Sequence, residues 1–219
     1  MFALDLDKGI AEAPEVDGVT YVSADVTQPD QVRAAVEAAA AEGPLRVAVS
    51  CAGIAPSARV VGKKGTHDLD LYARVVGINL IGTFHVLALS AEQMAANQPD
   101  DDGERGVIVN TASIAAYGGQ IGQVAYASSK GGVVGLTLPA ARTSPPTASG
   151  SAIAPGIVET PMLATIPEDF RAALAADVPF PPRLARPDEY AALALAIIDH
   201  RYLNGEVIRM DGALRMTPR

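Results

Sequence analysis

The sequence predicts an α/β fold, a doubly wound parallel sheet with helices on both faces, and three observations predict it. Short apolar runs of strand length alternate with longer helical stretches from one end of the chain to the other. The residues with chemistry in them, Asp5, Asp25, Ser50 to Gly53, Thr111 to Ser113 and Pro155-Gly156, fall just past apolar runs, where such sheets bind ligands. The chain has 219 residues, 49% of them apolar. That fills one hydrophobic core, so residues 1–219 are expected to form a single domain.

Phe2-Ala3-Leu4 and Val19-Thr20-Tyr21-Val22 are apolar and β-branched, bounded by Asp5 and Asp25, and read as strands. Thr27 is placed to cap a helix, with Pro29 in its first turn and Asp30 three residues after the cap. Its Ala-rich body, Gln31 to Glu42, ends at Gly43-Pro44. Leu45 to Ser50 is the next strand. Beyond a polar stretch with Lys63-Lys64-Gly65, a long helical pattern covers Leu69 to Ala96, and Gly106 to Asn110 follows as a strand. Helices are expected over Tyr126 to Arg142 and Pro187 to His200, and a last strand over Glu206 to Met210. Thr143 to Ser151 shows neither periodicity, and no internal repeat is visible.

Composition excludes several classes. Lys and Arg total 17 against 25 for Asp and Glu, and the net charge of −8 repels nucleic acid and anionic membrane surfaces. Apolar runs stay well short of the 18 residues of a membrane span, and Met1 to Asp7 lack the basic and apolar flanks of a signal peptide. A lone cysteine, Cys51, excludes an internal disulfide and fits a reducing compartment, so a cytoplasmic location is expected. His67, His85 and His200 lack metal-ligand spacing, so no metal is expected.

Tyr126 and Lys130 stand four apart in a helical stretch, which puts both side chains on one face. A phenol is a poor acid or base near neutrality, but a neighbouring ammonium favours phenolate and moves its pKa toward the working range. Ser113, thirteen residues before Tyr126 and just past a strand, offers a hydroxyl to a carbonyl oxygen on which charge develops during hydride transfer. Taken singly, the pair reads as a surface helix contact and the serine as a turn residue. Together, at the ends of strands and with Asn79 in the preceding helix, they describe a carbonyl–alcohol redox site.

These residues resemble those of the short-chain dehydrogenase/reductase family, and the likeness covers nearly the whole chain. It rests on Ser50-Cys51-Ala52-Gly53, Asn79, Thr111-Ala112-Ser113, Tyr126-Ala127-Ser128-Ser129-Lys130 and Pro155-Gly156-Ile157-Val158-Glu159-Thr160-Pro161, all in the family's order. Arg105 to Ala116, Ser129 to Arg142 and Leu203 to Met216 further resemble the family's 3-hydroxyacyl-CoA dehydrogenase branch. The resemblance implies a Rossmann-type fold and an NAD-dependent oxidoreductase acting on a 3-hydroxyacyl-CoA or a similar secondary alcohol. The catalytic set would be Asn79, Ser113, Tyr126 and Lys130, with Ser113 also orienting the substrate oxygen. Tyr126 would be the acid/base, Lys130 would lower its pKa and hold the nicotinamide ribose, and Asn79 would steady a water that relays protons to the lysine. Asp5 would take the adenine-ribose hydroxyls and select NAD over NADP, unless it is simply a solvated carboxylate. Asp25 and Val26 would meet the adenine. Cys51, Ala52, Gly53, Pro155, Gly156, Val158 and Thr160 would line the cofactor, with a small buried filler as the other reading of Cys51. Lys63 and Lys64 face an acyl-CoA phosphate or only solvent. A homo-oligomer, a tetramer, is implied. The other readings are a 3-oxoacyl reductase and a non-catalytic fragment that keeps only an association surface.

Two departures stand out. The family opens with a strand, a Gly-x-x-x-Gly-x-Gly turn that holds pyrophosphate, and a helix. This sequence starts inside what resembles the second strand, so the expected fold is truncated at the N-terminus by one strand–helix unit of about 30 residues. The missing strand is central in the order 3-2-1-4-5-6. Its neighbours would stand about 9–10 Å apart with unpaired edges and an open cofactor site. In the second departure, Thr143-Ser144-Pro145-Pro146-Thr147-Ala148-Ser149-Gly150-Ser151 stands where the family has Asp-Leu-Ala-Pro-Tyr-Gly-Ile-Arg-Val. Codons for that family peptide, GAC CTC GCC CCC TAC GGC ATC CGG GTC, read one base later as Thr-Ser-Pro-Pro-Thr-Ala-Ser-Gly, with a last codon that begins TC. A short out-of-frame stretch restored before Ala152 therefore accounts for all nine residues, and local disorder is expected there.

Overall fold

The computed structural model describes residues 1–63, 65–143, 149–164 and 168–218. Two parallel sheets carry the fold. β1 (Phe2–Asp5) pairs with β2 (Thr20–Ser23), with the short helix α1 (Asp7–Glu12) between them. β3 (Val47–Ser50), β6 (Val107–Thr111), β7 (Ser149–Pro155) and β8 (Val207–Met210) form the second sheet in that spatial order, each parallel to its neighbour. A small antiparallel hairpin, β4 (Val61–Gly62) with β5 (Gly65–Thr66), lies outside both.

Strand period sorts the core onto two faces. Val107 and Val109 of β6, with Ile153 of β7, pack on Ala194 and Ile197 of α8 (Pro187–Asp199). Ile108, between the two valines, points the opposite way and packs on Leu87 and Met94 of α4 (Thr83–Ala95). Helices on both faces are thus fixed by alternation along a single strand. α2 (Pro29–Ala41) packs on α4 and buries Val32, Ala35 and Val36. Its cap differs from the expectation. Asp25 Oδ1 accepts from both the backbone N and the hydroxyl of Thr27 at 2.8 Å, which takes Thr27 out of service, and Gln28 occupies the cap position with no side-chain bond.

The long helical pattern resolves into α3 (Leu69–Val76), a π-helical turn (Gly77–Gly82) and α4. Asp68 starts α3 by accepting from the backbone of Asp70 and Leu71. The π turn lets the chain run close to the end of β2. A Cβ on Gly82 would stand 2.6 Å from Val26 Cγ2, so only glycine fits there. Read as one helix, Leu69–Ala95 reaches the length and apolar content of a bilayer span, which a search for unbroken apolar runs passes over. Its polar residues Asn79, Thr83 and Ser90 are nevertheless buried, and α4 packs on α2, β3 and β6.

The most unexpected element is β7. Ser149, Gly150 and Ser151 show no strand pattern, yet they pair with Val107, Ile108 and Val109, and the same strand continues to a second ladder with β8. Backbone ladders on both sides outweigh weak side-chain preference at a central position. The disorder expected over Thr143 to Ser151 is therefore absent from residues 149–151, while residues 144–148 lie outside the described ones. The local cost is visible: the Ser151 hydroxyl is buried with no hydrogen-bond partner among the described residues.

Candidate active site

Three elements converge on one point. β6 ends at Thr111, and Ser113 follows as the cap of a 3₁₀ turn (Ile114–Ala116), with its hydroxyl accepting from Ala115 N. α5 (Val124–Thr143) packs on this turn and brings Tyr126 and Lys130 to it from one helix face. The Ser113 hydroxyl stands beside the Tyr126 phenol and favours its ionised form. Lys130 is 3% exposed, and its Nζ donates to Thr111 O at 2.6 Å. Nζ also stands 6.0 Å from the centre of the Tyr126 ring.

The electrostatics differ from the sequence-based expectation for the tyrosine. Burial lowers Lys130 to about 8, partly opposed by Cys51. Burial also raises the Tyr126 phenol, and Ser113 only partly offsets this. The ammonium was expected to pull the phenol down. It does not, because desolvation acts on both groups and the lysine's hydrogen bond goes to a backbone carbonyl.

Asn79, fully buried in the π turn, clamps the site from behind. Its Oδ1 accepts from Ile54 N at 2.8 Å, and its Nδ2 donates to Ile54 O at 2.9 Å and to Ser129 Oγ at 3.1 Å. The Ser129 hydroxyl in turn donates to Tyr126 O. A Cβ on Gly53 would lie 3.3 Å from Asn79 Oδ1 and 3.7 Å from Lys130 Nζ, so the chain past β3 passes directly against the lysine. Asn79, Gly53, Ser113, Tyr126 and Lys130 therefore form one cluster.

The other expected residues are more spread out. Ala52 is half-buried beside Gly53. Cys51 is exposed, not a buried filler, with Sγ 3.5 Å from Thr111 Oγ1 and 3.7 Å from the Tyr190 hydroxyl. Tyr190 of α8 went unnoticed in the sequence because nothing in its spacing marks it. Its hydroxyl lies 2.6 Å from Thr111 Oγ1, and burial raises its pKa. Pro155 and Gly156 end β7, where a Cβ on Gly156 would stand 3.0 Å from Asp211 Cα. Val158 bridges to Ala185, and Thr160 O accepts from Leu163 N. Asp5 is exposed at the end of β1, where Oδ1 accepts from Leu6 N. Asp25 and Val26 follow β2, and Val26 O lies 2.9 Å from His85 Nδ1. Asp5 thus ends a strand of the two-stranded sheet, Asp25 and Val26 follow its partner strand with Val26 against the π turn, and the cluster around Lys130 sits on the other sheet. Lys63 is exposed beside the hairpin, and Lys64 lies outside the described residues.

A cleft of about 540 Å³ opens beside α5, lined by residues 58–61, 119–124 and Ala127. Arg59 is its cation. Ser113, Tyr126 and Lys130 do not line it. Among the described residues no group of His, Cys, Asp and Glu is arranged for a metal.

The sequence matches the short chain dehydrogenase family over residues 4–171. It is 50% identical over 220 residues to a 3-hydroxyacyl-CoA dehydrogenase type-2 of Drosophila melanogaster, covering 98% of this chain and 86% of that one. A 3-oxoacyl-[acyl-carrier-protein] reductase of Thermotoga maritima is more distant, 34% identical over 96% of this chain and 83% of its own. Among solved structures, a 3-hydroxyacyl-CoA dehydrogenase type-2 from Mycobacterium avium overlays all of this chain and 87% of its own, with a TM-score of 0.93 and 44% identity.

Proposed function

We propose that this chain, which belongs to the short-chain dehydrogenase family and is an oxidoreductase, interconverts a 3-hydroxyacyl-CoA and the corresponding 3-oxoacyl-CoA with NAD. One observation carries the reading: a serine hydroxyl, a phenol and a buried ammonium meet at the ends of β3 and β6 against a glycine-lined backbone. The names of the more similar relatives favour the CoA thioester, and the lower identity to the acyl-carrier-protein reductase makes that reading the weaker one.

The nicotinamide side of a dinucleotide suits these residues. Lys130 is a buried ammonium with one hydrogen bond among the described residues, and Gly53 leaves room that a side chain would fill. Lys130 would hold the nicotinamide ribose, and Asp5 would accept from the adenine ribose and disfavour a phosphate there. When bound, NAD supplies the hydride acceptor, and NADH the donor. The protein moves the proton. In ketone reduction Ser113 donates to the carbonyl oxygen, and Tyr126 Oη gives its proton as that oxygen gains charge. Burial keeps the phenol protonated, the form this direction needs. Alcohol oxidation runs the proton back from the substrate hydroxyl to the ionised Tyr126, with Ser113 favouring the phenolate. Asn79 acts through position, holding Ile54 and Ser129 so that Gly53 and Tyr126 keep their places.

The cleft beside α5, with Arg59, is offered as the seat of the CoA portion. Exposed Ile81, Phe84 and Leu138 support self-association through the π turn, α4 and α5, and a tetramer in the cytoplasm is our reading. The test is NADH oxidation with a short 3-oxoacyl-CoA, followed by absorbance. Saturable turnover is expected, with NADPH much poorer. Saturable NADH binding without turnover of any 3-oxoacyl thioester would overturn the substrate assignment.

A further inference from the structure

The end of β6 is tied through the sheet to α8, and the tie has a direction. Tyr190 packs against the cluster of Val107, Val109 and Ile153 on the face that α8 covers, whereas α4 and α5 cover the other face. From there its hydroxyl reaches Thr111 Oγ1 at 2.6 Å. Thr111 has a single hydroxyl proton, and the Ser50 carbonyl takes it at 2.6 Å, so Tyr190 is the donor to Thr111. The Cys51 thiol donates in turn to Tyr190 Oη at 3.7 Å. The three bonds therefore run one way, from Cys51 through Tyr190 and Thr111 to the backbone of Ser50. The ladder between β3 and β6 ends at Ser50 with Asn110, and the Thr111 hydroxyl extends it by one bond. The carbonyl of the same threonine accepts from Lys130 Nζ at 2.6 Å. α8 is firmly seated where Tyr190 leaves it, because Glu189 binds the Arg183 guanidinium at 2.7 and 2.8 Å and accepts from Arg186 N at 2.8 Å.

We propose that Tyr190 is a positioning residue for Lys130. By holding the Thr111 side chain against Ser50, it fixes the ends of β3 and β6 to each other just beyond their ladder. That keeps the Thr111 carbonyl on Nζ and Gly53 at the lysine's flank. A carbonyl that accepts from an ammonium favours the charged form, so loosening Thr111 makes the lysine a weaker base. Around Lys130 the titratable groups are Tyr126 on its own helix and Cys51 past β3, and Tyr190 acts on it through Thr111. The consequence for catalysis rests on the enzymatic reading above; the effect on the lysine does not.

The test follows the full chain by NMR with isotopic label at the lysine ε-carbon, whose shift reports the charge of each lysine. Lys8, Lys63, Lys64 and Lys130 are the lysines of the chain, and Lys130→Met identifies the signal. Tyr190→Phe keeps the packed ring and should lower the proton affinity of Lys130 about threefold or more. Thr111→Val removes the acceptor at nearly constant shape and should do at least as much. In the Thr111→Val background, Tyr190→Phe should add less than about twofold, because the route is already cut. Repeating the comparison with Cys51→Ser takes thiol ionisation out of the titration and should preserve the difference. A Lys130 proton affinity unchanged or raised in either single variant would overturn the proposal, as would an equal effect of Tyr190→Phe in the native and Thr111→Val backgrounds. A lower urea midpoint with Lys130 unmoved would reduce the bond to a tie between α8 and the sheet, and would overturn it too. Every reading is made without NADH or substrate, so a native chain that fails to turn over refutes the enzymatic reading and leaves this one standing.

Discussion

Lys130 and Tyr126 are one helical turn apart, and that spacing, together with Ser113 past a strand, was legible in the sequence. The balance between attraction and desolvation was not, because it depends on how deeply α5 is packed. For Lys130 the consequence is a stability that varies with pH. Below about pH 8 both folded and unfolded chains hold the ammonium charged, and the folded state carries the cost of burying it, roughly 3 kcal/mol if a tenfold change in proton affinity is worth about 1.4. Between about pH 8 and 10 the folded chain releases that proton while the unfolded chain keeps it, so stability rises with pH. Above that range the raised Tyr126 works in the opposite sense, since the unfolded phenol ionises first. Urea midpoints at pH 7 to 10 should therefore climb for the native chain, and the climb should vanish in Lys130→Met. Equal slopes in the two proteins would show that the lysine is not desolvated. If Asp5 takes the adenine ribose as proposed, Asp5→Ala should raise NADPH affinity relative to NADH on the order of tenfold in a binding titration. An unchanged ratio would return Asp5 to the role of a solvated carboxylate.

Among the elements, those with a full period were readable and those held by tertiary contacts were not. The strand Val107–Thr111 and the helix Val124–Thr143 follow from a short apolar run and from helical spacing. The hairpin of Val61–Gly62 and Gly65–Thr66 has two residues per strand and no period to read. The π turn leaves the helical pattern unbroken, so it is invisible in the sequence, as is the close approach of Val26 to Gly82. β7 shows the same limit from the other side. Its serines and glycine carry no strand preference, and the ladders to β6 and β8 hold them extended. Ser151 bears the cost, since a buried hydroxyl without a partner costs about 1–3 kcal/mol. Ser151→Ala should raise stability by about 1 kcal/mol, seen as a higher urea midpoint with an unchanged slope. A lower midpoint would mean that the hydroxyl is bonded after all.

For the molecule as a whole, the sequence forecast both the doubly wound architecture and the interruption between its halves, because the order of strands follows from the order of motifs. Asp5 stands at the end of the two-stranded sheet, Ser113, Tyr126, Lys130 and Asn79 cluster at the four-stranded one, and Val26 packs on the π turn that carries Asn79. The central claim concerns that cluster alone: its phenol is the proton-transfer group of a carbonyl–alcohol oxidoreductase. The most direct measurement is NADH-dependent reduction of a short 3-oxoacyl-CoA by the native chain and by Tyr126→Phe, with NADH affinity determined in parallel. The account predicts a loss of turnover of about 10²–10⁴-fold, with NADH affinity changed by less than about threefold, the scatter expected of a single contact. Turnover that survives the substitution would contradict it.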